Sequence, residues 1–227
     1  MTRKEKAYVN AKELLDRPAR TPFEFEAAYY PPKYAGFKAY TIDDLVSGIK
    51  KADGLSIFYH VFHPLFSSHV VPEDMHNDFA VWIRDELHDL RVAHFVSDIE
   101  GKEPRTVEDV RADLVKILTE NRVETRASKP FHFVSCTPVV YKTGKVARNL
   151  GELIDTIATI SVRSIAYHFV FKRVMGYTAK NDFSAWIEEN YGLTELANAL
   201  SSIDPQTYTD EEKLRSDLLQ KFQEVLF

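Results

Sequence analysis

Two stretches of this 227-residue chain place the same acid–base side chains in the same order, the second with a loop four residues shorter. Tyr59-His60 is followed by Asn77-Asp78, and Tyr167-His168 by Asn181-Asp182. An imidazole held by a carboxylate can serve as a general base. Both pairs sit in apolar surroundings, however, where a buried imidazole or phenol needs a hydrogen-bond partner of its own. An Asn or Asp from the following helix would supply it. The expectation is a structural clamp, with a ligand pocket built from the same residues as the alternative. Asn-Asp also has a local use, because Asn satisfies free amides at a helix start and Asp adds charge at the positive dipole end.

Three other groups could carry chemistry. His60, His63, His69 and His76 cluster in the first half, and His60 and His63 would share one helical face. That spacing suits a transition metal, but Pro64 disturbs the helix and the second half keeps only His168 of the four. No metal and no cofactor is expected. The stretch Tyr141 to Asn149 sets Lys142, Lys145 and Arg148 around Gly144 just before a helix start, which suits an anion. It lacks the first glycine and the Gly-Lys-Ser/Thr order of a P-loop, and a solvated basic loop is the plainer reading. The single cysteine, Cys136, has Ala28 as its counterpart, so it is not a shared nucleophile.

Composition narrows the classes. One cysteine excludes an internal disulfide. There is no membrane-spanning apolar run and no hydrophobic leader after Met1, so a cytoplasmic setting is expected. The net charge of −5 argues against a dedicated nucleic-acid binder. That average hides a polarity. Residues 122–180 hold ten Lys or Arg and three Asp or Glu, whereas 181–227 hold three and ten. The two blocks can neutralise each other across the fold or between subunits. Alternatively, the first offers a surface to RNA or another polyanion through Lys142, Lys145, Arg148, Arg163, Lys172 and Arg173.

The elements that must position these residues occur twice. Phe23-Glu24-Phe25 and Phe131-His132-Phe133 alternate as short half-buried strands. A loop with Pro31, Pro32 and Gly36 follows the first, and Gly144 matches Gly36. Thr41 and Asn149 cap helices with stripes Ile42, Leu45, Val46, Ile49 and Leu150, Leu153, Ile154, Ile157. An apolar, aromatic segment then carries Ser56, Tyr59 and His60, or Ser164, Tyr167 and His168. Helices with Phe79, Trp82, Ile83 and Phe183, Trp186, Ile187 come next, and a short helix is expected over 90–99. Terminal helices run from Thr106 and from Thr209, keeping Arg111 with Asp113 and Arg215 with Asp217. Two residues apart, these cannot pair on one helical face, so each needs its own partner. Residues 122–128 read as a polar connector, and Lys4 to Leu15 as a docking helix stopped by Pro18.

The string Phe-x-Phe, Thr143-Gly144-Lys145, Asn149-Leu150-Gly151-Glu152-Leu153, Ile165-Ala166-Tyr167-His168 and Asn181-Asp182-Phe183 to Trp186 resembles a bacterial and archaeal family of unknown function. Leu87-His88-Asp89 and Ile203-Asp204-Pro205 are similar to that family too. The resemblance implies a mostly helical module, present here as a tandem pair, and carries no activity. The fold class expected is therefore mainly α. It comprises an N-terminal extension (1–20) and two homologous modules (21–121 and 129–227), each led by a short strand or hairpin, in a pseudo-two-fold arrangement. The expected function is a non-enzymatic binding or regulatory protein that works through protein contacts. The alternatives are a small-ligand- or metal-binding enzyme using Tyr59, His60, Asn77, Asp78, Tyr167, His168, Asn181 and Asp182, or a structural homo-oligomer.

Overall fold

A computed structural model describes residues 12–62, 74–99, 105–122, 124–176, 180–205, 208 and 210–226. Among the described residues helix makes up 59% and strand 19%, so the fold is mainly α. Two long hairpins hold the helices together. The first consists of β1 (Pro18–Tyr29) and β2 (Pro32–Ala39), the second of β3 (Phe131–Cys136) and β4 (Val139–Asn149). Within a hairpin the arms do not pair with each other. Instead β1 lies antiparallel to β4, and β2 antiparallel to β3, so the hairpins interlock as two two-stranded sheets.

This corrects the loop assignments at 31–36 and 141–149. Pro32 opens β2, where a strand tolerates a missing N–H. Gly36 and Gly144 have φ of 89° and 77° and sit where the register breaks, between Tyr34 and Lys38 and between Lys142 and Val146. Each marks a bulge that bends its strand, and glycine supplies the positive φ there without a Cβ clash. Turn-forming residues therefore mark a kink inside a strand rather than its end.

After β2 come α1 (Ile42–Lys51), α2 (Gly54–Phe62) and α3 (Asp78–Trp82), which runs on through a π-helical turn, Ile83–Leu87; α4 (Leu90–Ser97) and α5 (Val107–Glu120) follow. After β4 come α6 (Leu150–Thr159) and α7 (Val162–Ala166), extended by a π-helical turn, Tyr167–Phe171, and a last turn, Lys172–Val174. Then follow α8 (Asp182–Tyr191), α9 (Thr194–Ser201) and α10 (Glu211–Leu226). Thr41, Thr106 and Asn149 cap as expected, Thr106 within a reciprocal box with Asp109. The Asp109 carboxylate accepts from the Thr106 hydroxyl and from Thr106 N–H, and these two bonds hold it below its ordinary range. Thr209, like most of the proposed N-terminal helix, lies outside the described residues. Over 12–16 the chain is helical, with Leu14 and Leu15 packed on the core.

Arg111 and Arg215 each tie a terminal helix to the first helix of its group. Arg111 donates to the carbonyls of Ile49 and Ala52 at the end of α1, and Arg215 to Ile157 near the end of α6. A cation there meets free carbonyls and the negative end of the helix dipole. Asp113 and Asp217 face elsewhere, accepting from Arg105 and from the Tyr208 hydroxyl. One buried core contains Phe23 and Phe25 of β1 together with Phe131 and Phe133 of β3. Its tightness is clearest at Gly48 on α1, where an added Cβ would lie 2.3 Å from the fully buried Phe133 ring. Alanine is intrinsically the better helix former by about 1 kcal/mol, yet this ring has no room to retreat. Gly48→Ala is expected to destabilise by about 1–3 kcal/mol, read from chemical denaturation.

Candidate functional site

His60 lies on α2 and His168 on the turn that continues α7, each 3% exposed. The Nδ1 of His60 is 2.8 Å from Asp78 Oδ2, and that of His168 is 2.7 Å from Asp182 Oδ2. The other ring nitrogen faces a strand. Val134 N–H donates to His60 Nε2 at 2.9 Å, and Glu26 N–H donates to His168 Nε2 at 2.8 Å. An Nε2 that accepts carries no proton, so Nδ1 bears it and donates to the aspartate. Both nitrogens of both rings are in use.

One helical turn earlier, Ser56 Oγ donates to the Val134 carbonyl at 2.9 Å and Ser164 Oγ to the Glu26 carbonyl at 2.6 Å. Serine and histidine at i and i+4 share a helix face, and together they satisfy both backbone groups of one strand residue. Each pair closes the edge of its strand, which an antiparallel partner would otherwise be free to extend. Trp82 Nε1–H donates to the Lys129 carbonyl at 2.9 Å, and Trp186 Nε1–H to the Thr21 carbonyl at 2.6 Å.

The strands held this way are not the ones next in sequence. β1 is gripped by α7 and α8, its Glu26 142 positions from His168, whereas β3 is gripped by α2 and α3. The apolar side chains agree. Phe23 meets His168 at 4.9 Å, Phe183 at 5.3 Å and Trp186 at 5.9 Å between ring centroids. Phe131 meets His60 at 4.7 Å, Phe79 at 5.0 Å and Trp82 at 5.9 Å.

The remaining residues of the constellation are also accounted for. Asn77 and Asn181 are N-caps, accepting from Ala80 and Ser184 N–H. Asn77 Nδ2 donates to the Val96 carbonyl, whereas Asn181 Nδ2 and the neighbouring Ser184 Oγ are buried without a hydrogen-bond partner. Position 184 corresponds to Ala80, so Ser184→Ala is expected to raise the melting temperature by a few degrees, as loss of an unsatisfied hydroxyl worth about 1 kcal/mol. Tyr167 OH points to Glu26 Oε2 at 3.4 Å rather than to the next helix; burial, then the Glu26 charge, push its pKa up to about 12. His88 adopts the left-handed conformation that ends the π turn after α3, and Asp89 caps α4. Leu-His-Asp is thus a chain-reversal signal.

Among the six basic candidates, Arg173 is a correction. It is 2% exposed and donates from Nη1 to the Ile203 carbonyl, so it anchors the segment before α10 and offers no surface charge. Lys142 pairs with Glu24 at 3.1 Å, while Arg163 lies over the Tyr29 ring at 4.4 Å and Lys172 over that of Tyr167 at 5.9 Å. Lys145 and Arg148 are exposed on β4. Other charges of the basic block pair mostly with the first half of the chain, Arg122 with Asp43 and Lys129 with Glu86. A pair with the acidic block is Lys180 with Glu188.

Cys136 is buried, and desolvation pushes its thiol up to about 12, so it is a poor nucleophile at neutral pH. Among the described residues no group of three or more His, Cys, Asp or Glu is placed to hold a metal; His63 and His69 lie outside them. No helix among them is long and apolar enough to cross a membrane. A groove of about 400 Å³ runs beside β3, lined by Tyr59, Asp78, Trp82, Glu86 and His132 among others. Its three carboxylates are committed: Asp78 to His60, Asp85 to Arg84, and Glu86 to Lys129 N–H and Ser128 Oγ, which hold it below its ordinary range.

Fold and site define a mainly α protein in which two interlocked hairpins are clamped by Ser-His-Asp-Trp sets on helices. Residues 20–223 match the model of DUF5752, a family of unknown function, and the chain belongs to that family. A solved structure, "The structure of OrfY from Thermoproteus tenax", is 43% identical, with a TM-score of 0.90, over 93% of this chain and 98% of that one. None of the curated proteins matches.

Proposed function

We propose that this chain is a non-enzymatic binding or regulatory protein built as a tandem duplication. Its two modules, 21–121 and 129–227, would be related by a pseudo-two-fold axis and joined by exchange of their leading strands. Support for the duplication comes from the contacts that recur at a constant offset: Glu26 and Val134, Thr21 and Lys129, and Phe23 and Phe131 meet the same residue types.

The observation that carries the non-enzymatic reading is the engagement of all four histidine ring nitrogens by aspartate or backbone. A general base needs a ring nitrogen that can reach substrate. The residues that looked chemical instead fasten strands, which leaves function to the surface. That surface works through protein contacts or a polyanion, with Lys142, Lys145, Arg148, Arg163 and Lys172 as the cationic set. The test is binding of the full chain to inorganic polyphosphate across a salt series. Affinity should fall steeply as salt rises, and absent or salt-insensitive binding rejects the polyanion surface.

A further inference from the structure

One patch joins exposed aromatic rings to cations. Tyr29, at the end of β1, is 49% exposed, and Tyr141, on β4, is 37% exposed. Their rings stack with centroids 5.3 Å apart. The strand register explains why: Ala27 pairs with Tyr141 and Tyr29 with Val139, so the two tyrosines are diagonal neighbours on one sheet face. The Arg163 guanidinium reaches over from α7 to lie on the Tyr29 ring. From Tyr141 onward β4 carries Lys142, Lys145 and Arg148, all exposed; alternation sets Lys142 on the face opposite Tyr141, with Glu24.

Stacked rings left in water forgo their hydrophobic gain, and a protein surface rarely groups them without a partner. The partner's chemistry follows from what surrounds them. Single-stranded nucleic acid is the polymer that offers a flat π face and an anionic link at every step, which is what a tyrosine stack beside a row of cations accepts. A guanidinium already lying on a ring is placed to extend the stack or meet a phosphate. Carboxylates stand among these cations: Glu152 accepts from Arg148 N–H, Glu26 lies opposite Lys142 in the register, and Glu24 is exposed and paired with Lys142. A solvent-exposed ion pair of that kind is worth at most about 1 kcal/mol, so a phosphate can displace it.

We propose that Tyr29, Tyr141 and Arg163 form a platform for single-stranded RNA or DNA, with Tyr141 stacking a base, Arg163 meeting a phosphate, and the backbone passing over the edge of β4 to Lys142, Lys145 and Arg148. The proposal rests on the polyanion reading above and narrows it to a ligand with bases.

The test compares a fluorescein-labelled twelve-nucleotide oligo(U) with inorganic polyphosphate, using the full chain and fluorescence anisotropy. Tyr141→Ala should weaken oligo(U) about tenfold or more and leave polyphosphate unchanged, whereas Tyr141→Phe, which keeps the ring, should bind both as the parent does. The logarithm of the oligo(U) affinity should fall with that of salt with a slope near −2 to −3, from about four displaced counterions. A thermal melt of each variant separates loss of the ring from loss of the fold. If polyphosphate binds and oligo(U) does not, or if Tyr141→Ala leaves oligo(U) binding intact, the platform is wrong while the polyanion surface stands. If neither probe binds, both fall. If light scattering shows a dimer that Tyr141→Ala disperses, with no oligo(U) bound, the patch is a subunit contact and the platform is overturned.

Discussion

His168→Ala is expected to lower the unfolding free energy by about 3–5 kcal/mol. The substitution removes the acceptor for the Glu26 amide and the partner of the Asp182 carboxylate, and opens a hole against Phe23 and Phe25. An unsatisfied buried donor alone costs about 1–3 kcal/mol, and the hole adds to it. For a chain of this size the melting temperature should fall by roughly 10 °C. His60→Ala should do the same, because Val134, Asp78 and Phe131 stand around it in the same way. Ser164→Ala, which gives up one hydrogen bond to the Glu26 carbonyl, should cost about 1 kcal/mol. Calorimetry checks all three. A histidine variant that melts within about 2 °C of the parent would return these residues to the pool of ligand-binding candidates.

Cutting the connector should leave the protein in one piece. Residues 122–128 join two groups of helices, but they are not what holds the groups together. β1 pairs with β4 and β2 with β3, and each Phe-x-Phe strand is buried among helices of the opposite group. Around the connector, Ala127 N–H donates to the Tyr40 carbonyl, and Glu86 accepts from Ser128 and Lys129. A specific protease site placed at 124–125 and cleaved in the folded protein should give two bands on a denaturing gel. A single species of the parent's mass should remain in native light scattering. Unfolding of the cut form should become concentration-dependent, as for any two-chain native state. Two separately migrating halves would mean that each group keeps its own strand.

The residues that matter were visible in the sequence as pairs kept 108 or 104 positions apart, but their job was not. Helix stripes, caps and the Trp helices follow from local periodicity, and they stand where Thr41, Thr106 and Asn149 place them. The histidine–aspartate partnership was also within reach, since both residues lie on neighbouring helices. The strand exchange was hidden because nothing near Val134 in sequence specifies that its amide meets a ring 74 positions away. β2 and β4 were read as loops because Gly36, Gly144 and Pro32 are turn formers, and a bulged strand uses the same residues. Arg173 was counted as surface because arginine usually is, and its acceptor, the Ile203 carbonyl, lies 30 positions on.

The exchanged strands also set an order of events during synthesis. Phe23 is made well before the slot that receives it, which includes Trp186, 163 residues later. At about 5–20 residues per second, that is a wait of roughly 8–30 s. Throughout it, a nascent chain trails an aromatic strand with nowhere to dock. β1 can take its native place only after the Trp186 helix has been made, whereas the slot on the first-half helices is filled as soon as β3 follows them.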